Sequence, residues 1–241
     1  MSRPWRNREA LLLGHSQMEG MAPFFVNKLR RSRVRTIHTH IERGLNLQRV
    51  QRDVRYGRRQ ILPPSVADEL PFAIVALSGN GAVTDPRQLE SNLYWLRAEY
   101  PRALIAWLGH TITRTSDAEA DEERARAAEL ESRLVPTTLS GFVWVDMRLP
   151  SALLAGDGIH HTREGYRQLV DHAWAQILEA TDRSSARSAL PAILGGAALG
   201  LAGVLGYRAW QSQRDKRSSR SAEADKYDRL FAGLGEGDPW P

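Results

Sequence analysis

The chain has no cysteine in 241 residues. That excludes disulfides, thiolate nucleophiles and cysteine-ligated zinc. Aromatic residues make up only 7% of the sequence. They do not interleave with a basic stripe, so no specific nucleic-acid partner is expected. Charge of neither sign dominates: Lys+Arg number 33 against 28 Asp+Glu, a formal charge of +5. An excess that small provides only non-specific attraction to phosphate. There is no internal repeat. The amino terminus is basic, but its apolar run Leu11–Leu13 is too short for the core of a signal peptide.

What is present is an alternation of apolar runs and helical patterns. The length allows one sizeable core plus appendages. Ala10–Leu13, Arg33–Ile41, Phe72–Leu77, Ala103–Gly109 and Gly141–Asp146 read as strands. The third is apolar at every position, as in a strand buried on both faces. Met21–Leu29 can form a helix. Arg49–Arg59 is basic and solvated, and Leu62-Pro63-Pro64 breaks the chain. Pro86 opens a helix with Leu89, Leu93 and Leu96 on one stripe, and Pro101 closes it. Asp117–Arg133 reads as an exposed helix with acidic residues at its amino end. Tyr166, Leu169, Val170, Ala173, Trp174, Ile177 and Leu178 mark an amphipathic helix over 163–180. Strands alternating with helices imply a parallel sheet covered on both faces.

Chemistry-bearing residues fall where these strands end. Gly14-His15-Ser16-Gln17-Met18-Glu19-Gly20 puts a serine hydroxyl at the carboxyl end of the first strand, the edge where open α/β sheets keep their sites. Ser16 is a nucleophile only if a base reaches it. Taken alone, a helix cap is the commoner role for such a serine. Gly44 ends the second strand, and it is either a turn glycine or one that brings an N–H close to a ligand. Asn80 follows the third strand, where a turn-forming Asn-Gly is the alternative. Asp157 and His160 lie three apart in a loop before the last helix. A carboxylate there can hold an imidazole's tautomer while the other nitrogen takes a proton. His161 is a rival base. His38 and His40 share one side of the second strand and lack a third ligand, so they read as packed or solvated rather than metal-bound. His110 ends the fourth strand and receives no role.

In this order the motifs resemble the blocks of the SGNH (GDSL-type) hydrolases. Gly14-His15-Ser16…Gly20 is similar to the first block and Gly44 to the second-block glycine. Ser78-Gly79-Asn80-Gly81 is similar to the third block. Asp157-Gly158-Ile159-His160, with Thr162 and Gly165-Tyr166, is similar to the fifth. The resemblance covers about residues 10–180. It implies a three-layer α/β/α sandwich of flavodoxin-like form over residues 1–182, with a mostly parallel five-stranded sheet. It further implies a serine esterase without metal or cofactor. Ser16 would attack an acyl carbonyl, His160 would be the base and Asp157 its orienter. The N–H groups of Ser16 and Gly44 and the amide of Asn80 would receive the oxyanion. Substrates would be O-acyl carbohydrates or lipid esters. His15 replaces the usual aspartate, and Ser78 and Gly81 replace the usual glycine and aspartate. Those departures leave a second reading: a catalytically degenerate structural or interaction protein, such as one of a virus particle.

After a short linker, 183–187, the composition changes. Ser188–Tyr207 carries no charge and has the length of a membrane span. With Tyr207 and Trp210 as interface residues, 188–210 reads as a single carboxyl-terminal membrane anchor. Its Gly/Ala spacing offers a face for self-association. Arg208, Arg214, Lys216, Arg217 and Arg220 would hold the tail inside and the domain outside, whereas the missing signal core argues for the reverse. Residues 211–241 read as a disordered polar tail.

Overall fold

A computed structural model describes residues 5–78, 83–150 and 152–189, with side chains to 182. The chain divides into a compact unit, Met1–Ala186, and a second unit, Arg187–Pro241. Of the second unit only 187–189 are described. All but the first two residues of the proposed span, its interface aromatics and the polar tail therefore lie outside the described residues. Among the described residues no helix is long and apolar enough to cross a membrane.

The elements follow in strict alternation at first: β1 (Glu9–Gly14), α1 (Ser16–Arg31), β2 (Thr36–Ile41). Two short helices, α2 (Leu47–Arg55) and α3 (Pro64–Glu69), then lead to β3 (Phe72–Ala76). The rest is α4 (Pro86–Glu99), β4 (Leu104–Leu108), α5 (Ala118–Thr138), β5 (Phe142–Val145) and α6 (Arg163–Ala189). The strands pair in the order β2-β1-β3-β4-β5, all in parallel.

The all-apolar runs become the middle of the sheet because both of its faces are covered. Leu12, Ile74 and Ala106 project into one core, against Met21, Phe25 and Leu29 of α1 and Leu169, Ala173 and Ile177 of α6. Leu11, Leu13, Val75 and Ile105 project into the other, against Val50 of α2, Leu93 of α4 and Leu130 of α5. The result is a three-layer α/β/α sandwich.

Four elements differ from the sequence reading. Helix α6 runs on to Ala189, through the residues 183–187 read as a linker. The break at Pro63-Pro64 opens α3, with proline in the first turn where no N–H is needed. Helix α1 begins at Ser16, not beyond Gly20. Helix α5 is longer than expected and buries Ala127, Ala128, Leu130, Glu131 and Val135. Its acidic start is nonetheless that of a helix amino end, with Asp117 capping the Ala120 N–H.

Candidate active site

The order β2-β1-β3 makes the carboxyl ends of β1 and β3 a topological switch point, where loops leave to opposite faces and open a crevice. Ser16 follows β1 and Ser78 follows β3 at that crevice. The helix cap is not Ser16 but His15, whose Nδ1 accepts from the Gln17 N–H at 3.2 Å. His15 thus performs the capping that an aspartate would perform in its place. Accepting through Nδ1 requires a neutral ring on that side. Burial, then the neighbouring His160, lowers the His15 pKa to about 4. The Ser16 hydroxyl is left free of the capping role, in the first turn of α1.

The long loop after β5 returns to the same edge. His160 Nε2 lies 3.1 Å from Ser16 Oγ. Its Nδ1 lies 2.6 Å from Asp157 Oδ2. The other Asp157 oxygen, Oδ1, accepts from the N–H groups of Ile159 and His160 at 3.0 and 2.9 Å. Those bonds, the His160 side chain first, lower the Asp157 pKa to about 2. An ionised carboxylate in that place fixes a proton on Nδ1 and leaves Nε2 as acceptor for the serine hydroxyl. Gly158 makes the tight loop possible at φ +67. A Cβ there would sit 2.1 Å from the Arg114 carbonyl oxygen, and the Arg114 N–H donates to Gly158 O at 2.8 Å.

Two further contacts hold the loop against α1. Gln17 Nε2 donates to Ile159 O at 2.7 Å, joining the residue after the serine to the residue before the histidine. Gly20 leaves room for Tyr166, whose ring would lie 2.2 Å from a Cβ at that position. His161 is turned elsewhere. It is buried, packs on Tyr166 with ring centroids 5.6 Å apart, and its Nδ1 has no hydrogen-bond partner.

Of the other sequence candidates, Gly44 sits in the turn after β2 at φ +71. That turn starts against β1, with the Glu42 N–H donating to Gly14 O at 3.1 Å. It is tied to α1 by Arg43, which donates to Glu19 at 2.9 Å. Asn80 and Gly81 lie outside the described residues. His38 pairs with Glu9 at 3.0 Å and His40 with Arg59 at 2.6 Å. Among the described residues no group of three His, Cys, Asp or Glu side chains could hold a metal ion.

A cavity of about 130 Å³ opens beside Ser16. Met21, Ala76 and Leu108 give it apolar walls, and Ser78, His110, Thr113 and Arg124 line its polar side. His110 is 5% exposed and Glu131 1%. His110 Nε2 lies 3.6 Å from Glu131 Oε1, beyond hydrogen-bonding distance. Burial lowers the His110 pKa to about 4 and raises that of Glu131 to about 7. Each buried group resists its charged form. Sequence reasoning left His110 without a place and missed Glu131 and Gln17. Nothing in a charge-rich helical run distinguishes the glutamate that turns inward.

No family model matches the sequence, and no curated protein is similar to it. Solved structures are. A protein of Slackia heliotrinireducens, provisionally assigned as an SGNH hydrolase, is 18% identical with a TM-score of 0.55, over 71% of this chain and 100% of that one. A lipase from a goat rumen metagenome is 13% identical with a TM-score of 0.53, over 70% and 96%. A family 3 carbohydrate esterase of Clostridium thermocellum is 10% identical with a TM-score of 0.53, over 73% and 97%. The chain has the α/β fold of the SGNH hydrolases, with its five parallel strands.

Proposed function

We propose that the protein is a serine hydrolase of ester bonds, with Ser16 as nucleophile, His160 as general base and Asp157 as its orienter. The observation that carries this reading is the unbroken contact chain of 3.1 Å from Ser16 Oγ to His160 and 2.6 Å from His160 to Asp157. Ser16 Oγ attacks the acyl carbonyl carbon and its proton passes to His160 Nε2. Negative charge grows on the carbonyl oxygen. The Ser16 N–H lies in the first turn of α1, where a helix supplies no acceptor of its own, and it receives that charge. Gly44 N–H and the Asn80 amide are the further donors. His160 then protonates the departing alcohol, and water, deprotonated by the same ring, releases the acid.

The ester is of an O-acylated carbohydrate or a lipid, and the cavity of about 130 Å³ beside Ser16 supports a short acyl group. Residues 188–210 would anchor the enzyme in a membrane, and their small residues would allow self-association. Hydrolysis of p-nitrophenyl acetate by the wild type and by Ser16→Ala tests the activity. The expected result is a loss of at least about 10³-fold in kcat. Equal rates in the two proteins would leave a degenerate fold with an interaction role.

A further inference from the structure

Opposite the crevice, at the amino ends of the strands, the surface is strongly cationic. Arg6, Arg8, Arg30, Arg31, Arg33 and Arg35 are all exposed there. They come from three segments knitted together by the backbone. The Asn7 N–H donates to Arg33 O at 2.7 Å, Arg35 N–H to Arg8 O at 2.8 Å, and Arg33 N–H to Arg30 O at 2.9 Å. Arg35 approaches Glu9 at 3.8 Å, and Glu9 is already held by His38 at 3.0 Å. Among the described residues no carboxylate pairs with the other five. Lys28, one turn back on α1, is used up by Asp171 at 2.7 Å.

Helix α6 runs towards this same edge. It starts beside the site, with Tyr166 against Gly20. It passes Lys28 at Asp171. It reaches the amino edge where Trp174 packs on Trp5, with ring centroids 5.7 Å apart. Helix α6 continues past Trp174 to Ala189, and the uncharged stretch 188–207 begins at its end in sequence. We infer that the arginine cluster is a docking surface for an anionic bilayer, with Ser16 opening away from the lipid. Clustered arginines attract anionic headgroups, and the attraction ends within a Debye length of the surface. Strands of this length hold the two edges roughly 17–20 Å apart, beyond that range. A nucleic acid offers the same phosphate chemistry, but it gives no reason for an uncharged stretch of membrane length in the same chain. On the ester-hydrolase reading above, the substrate then reaches Ser16 from the aqueous side, as a soluble or polymeric ester rather than a lipid of the supporting bilayer.

The absence of cysteine makes the test direct. The full chain is given a single thiol, either Ser32→Cys at the arginine edge or Gly156→Cys beside the site. Each is labelled with bimane and reconstituted in vesicles of phosphatidylcholine with or without phosphatidylglycerol, carrying headgroup spin labels. The expected result is quenching at position 32 that needs the anionic lipid, and none at 156. Arg8→Gln, Arg30→Gln and Arg31→Gln together should lower the docked-to-undocked ratio about 100-fold, from about fivefold per arginine. The same triple variant should hydrolyse a soluble ester at the wild-type rate. Equal quenching at both positions would overturn the proposal. So would quenching indifferent to phosphatidylglycerol or to the three arginines, or arginine-dependent binding of duplex DNA without vesicle docking. If the wild type hydrolyses no ester while the quenching pattern holds, the enzymatic reading fails and the docking surface stands.

Discussion

Replacing Glu131 by glutamine removes a buried carboxyl whose ionisation the fold resists. Burial raises its pKa from 4.5 to about 7. Between those two values the folded protein keeps a proton that the unfolded chain has released. Stability therefore falls as pH rises through that window, and the loss is complete above the folded value. Ionising Glu131 in the folded state costs about 3 kcal/mol, from 1.36 kcal/mol per tenfold change in proton affinity. Glu131→Gln keeps the shape and discards the titration. Urea unfolding followed by tryptophan fluorescence at pH 4.5, 6, 7 and 8 should find the two proteins similar at pH 4.5. The variant should be ahead by up to about 3 kcal/mol at pH 8. His15 and His110 act in the opposite sense. Their pKa values near 4 make the fold lose stability as pH falls from about 6.5 towards 4. At pH 6 and above both rings are neutral in the fold, so the difference between the two proteins there reports Glu131. A difference that does not change with pH, or a variant less stable at pH 8, would refute the reasoning.

Other substitutions separate the parts of the site. Asp157→Asn should lower kcat about 10⁴-fold with the unfolding midpoint nearly unchanged, because an exposed amide replaces the tautomer-fixing carboxylate; stopped assays with an activated ester measure it. Gln17→Leu breaks the 2.7 Å bond to Ile159 O and should cost about 1 kcal/mol in urea unfolding, with a fall in kcat and little change in KM. His15→Ala should cost about 1 kcal/mol as a lost helix cap, and His15→Asp should restore it, both read from the urea midpoint.

The middle of the sheet was legible because β1, β3 and β4 are buried on both faces. Phe72–Ala76 has no polar position to hide its nature, and its neighbours follow the same rule. The site was legible where chemistry is local in sequence: Asp157 and His160 are three apart, and one loop brings both nitrogen and carboxylate into register. It was illegible where burial comes from distant packing. Glu131 sits in a run of Glu, Arg and Ala that reads as a solvated face, yet it is buried beside Ser78 and Trp107, far away in sequence. Gln17 looks like any residue of a first helical turn, yet its partner is 142 positions away. His15 read as a departure from an expected aspartate, and its role emerged from a backbone N–H that needed an acceptor. Pro63-Pro64 read as a break, because proline marks both the end of one segment and the first turn of the next.

The reactive serine is the claim on which the rest depends, and intact-protein mass spectrometry after treatment with a fluorophosphonate tests it most directly. One adduct on the wild type, mapped to Ser16, absent from Ser16→Ala and much slower to form on His160→Ala, is the predicted result. No adduct on folded wild type, or one that forms equally on Ser16→Ala, would contradict the account.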